Sequence, residues 1–168
     1  MAETISQILK QYFSPSVVVF LISLMPILEL RGGMIAAALF GLPWGRALII
    51  SIIGNILPIP VVIIFIQSII KWMKNFKPLS GIGCWIENKG VANGAKLQEK
   101  YPKTLKIGLL LFVGIPLPGT GAWTGALIAS FLGLNLRSSA PYISLGVLLA
   151  AAIMSIITYV IPSLINMI

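Results

Sequence analysis

The chain has 168 residues, 58% of them hydrophobic and only 10% charged, with a mean hydropathy of +1.01 and a formal net charge of +8. A soluble domain carries about 25% charged residues, so this composition cannot clothe a water-facing surface, and lipid is the solvent that fits it. Asp and His are absent and the carboxylates are Glu3, Glu29, Glu87 and Glu99, which excludes a Ser-His-Asp arrangement, a His/Asp metal cage and paired intramembrane carboxylates.

No enzyme activity, cofactor or metal is therefore expected, and the length suits one multi-pass membrane domain. Residues 2–13 space Ile5, Ile8, Leu9 and Tyr12 along one helical face, opposite Glu3, Gln7 and Lys10. That pattern predicts a short amphipathic helix in the interface. The terminus lacks the basic start of a signal peptide, so the first apolar stretch is expected to stay in the mature protein.

A first apolar block runs from Val17 to Pro43, interrupted at Met25-Pro26, Glu29 and Arg31-Gly32-Gly33. Its halves, Pro15–Leu28 and Met34–Leu42, are too short to cross a ~30 Å hydrocarbon core at ~1.5 Å per residue. Two half-helices meeting at a polar break predict a re-entrant hairpin. The second block, Ala47–Ile70, is long enough to cross, with a kink expected at Gly54-Asn55 and Pro58-x-Pro60.

Eight of the twelve basic residues fall between Lys71 and Lys106. In a membrane protein this places the segment in the cytoplasm beside anionic lipid, and argues against nucleic-acid binding. Within it, residues 85–100 predict a surface helix broken at Gly90 or Gly94. The third block, Ile107–Leu134, repeats the theme of the first: Pro116-Leu-Pro118-Gly119-Thr120-Gly121 divides two short apolar halves. The stretch after Pro141 is again long enough to span.

A constant shift of 92 positions places Phe20 on Phe112, Pro26 on Pro118, Gly33 on Gly125, Gly41-Leu42 on Gly133-Leu134 and Gly54 on Gly146. Matches at Gly and Pro weigh most because they fix backbone geometry. The resulting fold class is all-α integral membrane. Two inverted repeats (about 14–70 and 107–168), each a re-entrant hairpin and a crossing helix, flank a basic linker at about 71–106. Broken helices at such a repeat interface form the sites of many secondary transporters.

Charged groups at membrane depth face a partner or a wet cavity, which singles out Glu29 for proton coupling and Arg31 for an anionic headgroup; a structural ion pair is the alternative. In the second break, Gly119 and Gly121 can expose backbone N–H groups to an anion, with the hydroxyls of Thr120 and Thr124 beside them. Trp123 can line a cavity or anchor at an interface. Asn55 can bind a ligand or hold a neighbouring helix. Arg46 and Arg137 are expected to snorkel.

The motifs P-x-LELRGG-x-x-x-A, A-x-I-x-S-x-x-GN-x-LP-x-P and LLLFVGIPLPGTGAWTGA resemble the small multi-drug export protein family over nearly the whole chain. That family resembles in turn the DedA (VTT) superfamily, whose members carry paired re-entrant hairpins. The resemblance implies transport in a bacterial inner membrane, either of polyprenyl phosphate lipid carriers or of drugs at the expense of protons. Glu29 matches the superfamily's acidic hairpin position. Pro118-Gly119 matches its Pro-Gly, but no arginine follows there. The expectation is a proton-coupled transporter or flippase of an anionic lipid, with membrane lipid as partner and a homodimer as a plausible state. The alternatives are a proton-coupled exporter of small lipophilic cations and a non-transporting assembly factor.

Overall fold

Ser14 opens the first helix, α1 (Pro15–Leu24): its hydroxyl accepts from the Val17 N–H at 3.4 Å, and Pro15 sits where no intrahelical N–H is needed. The computed structural model describes residues 14–101 and 104–165, so the interfacial segment expected at 2–13 lies outside the described residues. Pro26 prevents α1 from continuing, and the chain turns through Met25–Leu28 into α2 (Glu29–Leu39). The break is thus earlier and shorter than the sequence suggests. Glu29, Arg31, Gly32 and Gly33 belong to α2 rather than to a non-helical apex.

Two long apolar helical stretches follow the short pieces. The first, Trp44–Asn75 with 32 residues, comprises α3 (Trp44–Ile56) and α4 (Pro58–Asn75). The expected irregularity falls at Leu57, where Pro58 brings no N–H to the ladder. The second, Leu136–Ile165 with 30 residues, comprises α8 (Leu136–Ser155), a π-helical segment at Ile156–Val160, and α9 (Ile161–Ile165). Each exceeds the roughly 20 residues needed to cross a bilayer. All regular structure among the described residues is helical.

Between them lie a 3₁₀ turn at Lys77–Leu79, α5 (Ser80–Lys100), α6 (Leu105–Gly114) and α7 (Ala122–Phe131). The break expected at Gly90 or Gly94 does not occur, and α5 is continuous over 21 residues. Both glycines are buried against α7. A Cβ on residue 90 would stand 2.5 Å from the Phe131 ring, and one on residue 94 would meet Leu132. They serve as a groove for a neighbour rather than as a stop signal. Elsewhere on α5, Glu87 pairs with Lys74 of α4 at 2.6 Å and Lys89 lies over the Trp85 ring.

The described chain forms two packing units. One holds α1–α3 with the chain from Val147 onward; the other runs from Pro58 to Gly146. In the first, α1, α2 and α3 pack mutually, and the Tyr159 hydroxyl donates to the Leu42 carbonyl at 3.1 Å, tying the π-helical segment to the turn after α2. In the second, α4, α5 and α7 pack together and Gln67 donates to the Ser130 carbonyl.

The two hairpins are built alike in detail. Each second helix ends in the same glycine-capped turn, with Gly41 at φ +69° and Gly133 at φ +67°. Leu42 N–H reaches Ala37 O in one and Leu134 N–H reaches Ala129 O in the other. The first helices match at a shift of 90, not 92. A Cβ on Gly54 would strike Phe20 O and Ser23, whereas one on Gly146 would strike Leu110 O and Val113. Phe20 therefore corresponds to Leu110 rather than Phe112, because the second hairpin's turn is two residues longer.

Candidate functional site

Glu29 is the sole carboxylate among the described residues of the first unit, and it is 5% exposed. Its φ is +51°, the only non-glycine residue with positive φ among those described. The left-handed region costs an ordinary residue about 1–2 kcal/mol. Ninety-two positions on, the residue entering α7 is Gly121 at φ +148°. The first hairpin places a buried, strained carboxylate where the second has a glycine.

One turn along α2 from Glu29, the helix contact is polar. Gly33 packs so closely that a Cβ there would fall on Ser23 Oγ and stand 3.0 Å from Ser51 Oγ. Ser23, Gly33 and Ser51, which meet at this contact, are buried, as are Glu29 and Asn55 elsewhere in the same unit. Ser23 donates to Val19 O at 2.8 Å. Ser51 Oγ and Asn55 Oδ1, on residues 0% and 2% exposed, have no hydrogen-bond partner among the described residues. Other buried hydroxyls behave differently: Ser155 bonds the carbonyl four residues back, as Ser23 does. Leaving such groups unsatisfied costs about 1–3 kcal/mol each.

The corresponding positions elsewhere are apolar. Ser23 corresponds to Val113, Ser51 to Ile143 and Asn55 to Val147, all fully or nearly fully buried. Val113 and Ile143 flank Gly125 as Ser23 and Ser51 flank Gly33. At these matched positions the second hairpin is apolar where the first carries oxygen atoms. Ser23 and Ser51 escaped the sequence reading because isolated serines in apolar helices are common. Their signal is visible only once the 90- and 92-residue registers set them against Val and Ile.

Arg31 is half-buried in the first turn of α2, within electrostatic reach of Glu29. Both belong to α2, with Glu29 at its strained first position. Asn55 joins Glu29 in the first unit; Gly119, Thr120, Gly121, Trp123 and Thr124 belong to the second. There Thr120 Oγ1 closes its own turn, lying 3.0 Å from Ile115 O and 2.8 Å from Leu117 O while accepting from Leu117 N–H. Gly119 is exposed at φ +79°, and Trp123 and Thr124 are half-buried in the first turn of α7. Arg46 and Arg137 are exposed in the first turns of α3 and α8. A groove of about 230 Å³ beside Thr120 is lined by Lys96 and Lys100 of α5 and by Leu111 and Phe112 of α6. These lysines, unremarked in the sequence, supply cations near Pro118-Gly119 where no arginine follows.

A family model described as "Putative small multi-drug export protein" matches residues 29–153, from Glu29 at the head of α2 into α8. No curated protein and no solved structure matches the chain. The family description and the two long apolar helices make this a membrane protein of the export class. The chain belongs to the small multi-drug export protein family.

Proposed function

We propose that the chain is a proton-coupled exporter of small lipophilic cations with Glu29 as its exchange site. The observation that carries this reading is the buried, backbone-strained Glu29 carboxylate, in a unit whose buried Ser23, Ser51 and Asn55 have apolar counterparts at Val113, Ile143 and Val147. A carboxylate at membrane depth exchanges a proton for an organic cation without a change of net charge in the site. Arg31, at the edge of the same turn, competes for Glu29 and keeps the cation releasable. The short helices α1/α2 and α6/α7 act as re-entrant hairpins of an inverted repeat, with the basic face of α5 cytoplasmic and the protein in the inner membrane, where it can pair as a homodimer.

The test is uptake of ethidium into proteoliposomes under an imposed pH gradient. Uptake by wild type and Arg31→Gln, and none by Glu29→Gln, supports the reading. Equal uptake by Glu29→Gln and wild type overturns it.

A second reading, transport of an anionic lipid such as polyprenyl phosphate, is favoured by the groove between α5 and α6, where Lys96 and Lys100 border apolar Leu111 and Phe112. A phosphate headgroup with an acyl or prenyl chain matches that pairing of charge and grease. Native mass spectrometry separates the two readings. Polyprenyl phosphate retained by wild type and lost on Lys96→Gln/Lys100→Gln favours the lipid.

A further inference from the structure

We propose that the cavity between α4, α5 and α7 holds the phosphate headgroup of an anionic membrane lipid, bound by Lys71 and Lys74 in competition with Glu87. The site lies in the second unit, apart from Glu29, and stands independently of the exporter reading. The cavity measures about 570 Å³ and is lined by Gln67, Ser68, Lys71 and Lys74 of α4, Glu87 of α5 and Phe131 of α7. That volume falls in the range that holds small ligands. Two lysines against one carboxylate leave the lining net positive, and Ser68 adds a hydroxyl donor. The groove at Lys96 and Lys100 shares no residue with it.

The setting makes a lipid, rather than a free anion, the source of the phosphate. Lys71 and Lys74 stand near the end of the apolar stretch Trp44–Asn75, which is long enough to cross a bilayer, so they lie where headgroups lie. Gln67, Ser68, Lys71 and Lys74 form a polar stripe on α4. Phe65, Ile69, Trp72 and Phe76 recur beside it at helical spacing, and all four are exposed. Trp72 and Phe76 stack at 5.9 Å. Exposed aromatic side chains at the end of a crossing helix are the interfacial pattern, and they give acyl chains a surface next to the lysines. Glu87 holds Lys74 at 2.6 Å in an exposed pair, and such pairs are weak. A phosphate can therefore displace the carboxylate. Displacement need not collapse the cavity, because Gln67 Nε2 donates to Ser130 O and ties α4 to α7 without the lysines. Carbonyl dipoles at the end of α4 oppose an anion, so the two lysines must carry the binding.

The experiment is native mass spectrometry of the full chain in mild detergent, titrated with dioleoylphosphatidylglycerol, dioleoylphosphatidylcholine and inorganic phosphate. Thermal unfolding confirms that each variant is folded. Wild type is expected to retain the anionic lipid about fivefold more strongly than the zwitterionic one, and to retain no inorganic phosphate. Lys71→Gln/Lys74→Gln should weaken retention of phosphatidylglycerol about tenfold, whereas Lys89→Gln, which removes a charge outside the cavity, leaves it unchanged. Glu87→Gln decides the matter, because it frees Lys74 and removes a like charge. Its retention of phosphatidylglycerol should rise about threefold. Weaker retention by Glu87→Gln, a loss in Lys89→Gln equal to that in the double variant, or no preference of wild type for phosphatidylglycerol overturns the inference. So does inorganic phosphate held as strongly as the lipid, which would make the site one for a soluble anion.

Discussion

Ser51 Oγ lies 3.0 Å from the point where a Cβ on Gly33 would stand, so the contact between α2 and α3 is set by a glycine against a serine hydroxyl. This spacing brings the two helices into close contact at Gly33. It also makes the seam intolerant of added volume.

Gly33→Ala should therefore destabilise the protein, although alanine favours a helix by about 1 kcal/mol. The new methyl would fall on Ser23 Oγ and crowd Ser23 Cβ and Ser51 Oγ, and such overpacking costs about 1–3 kcal/mol. A lower thermal midpoint in detergent is expected. Gly45→Ala, in the first turn of α3 with nothing within 4 Å of its Cβ, serves as the control and should hold or raise the midpoint.

Glu29→Gly separates stability from function. Glycine accepts the φ of +51° without strain, and removing the side chain also removes a buried charge. A gain of about 1 kcal/mol or more is expected, together with complete loss of ethidium transport. A stabilised variant that still transports would show that the strained carboxylate serves no exchange role.

Ser51→Ala deletes a buried oxygen that has no hydrogen-bond partner among the described residues. Its thermal midpoint should hold or rise by the equivalent of about 1 kcal/mol, whereas removal of a bonded hydroxyl lowers stability. Ser23→Ala, which breaks the 2.8 Å bond to Val19 O, is the comparison and gains nothing.

Tyr159→Phe tests the tie between the π-helical segment and the turn after α2. The lost bond to Leu42 O, at 3.1 Å and part-buried, is worth about 0.5–1.5 kcal/mol. The expected result is a modest fall in midpoint with ethidium transport retained. An unchanged midpoint would show that the C-terminal helix contributes nothing to that turn through this hydroxyl.

Much of the helical order was legible because proline punctuates it: Pro26, Pro58 and Pro116-Leu-Pro118 mark the ends of α1, α3 and α6 within a few residues. The long apolar stretches were legible from length alone. The two-residue slip between the hairpins was not, because a single constant shift locks onto the second helices and carries the first helices out of register. Gly90 and Gly94 misled for a related reason. Sequence shows a missing side chain, but only packing shows whether Phe131 and Leu132 occupy the space it leaves. At the site, Glu29, Arg31 and Asn55 stood out as polar residues in apolar surroundings. Ser23 and Ser51 became distinctive only when their counterparts proved to be Val113 and Ile143.

Exchange of a proton for a cation at Glu29 is the centre of the exporter reading. The most direct test is to count protons released when phenethylammonium binds purified protein, by titration calorimetry in two buffers of different ionisation enthalpy. Release of about one proton per bound cation by wild type, and none by Glu29→Gln, is the predicted result. Cation binding by wild type with no proton release, or the same release from Glu29→Gln, would contradict it.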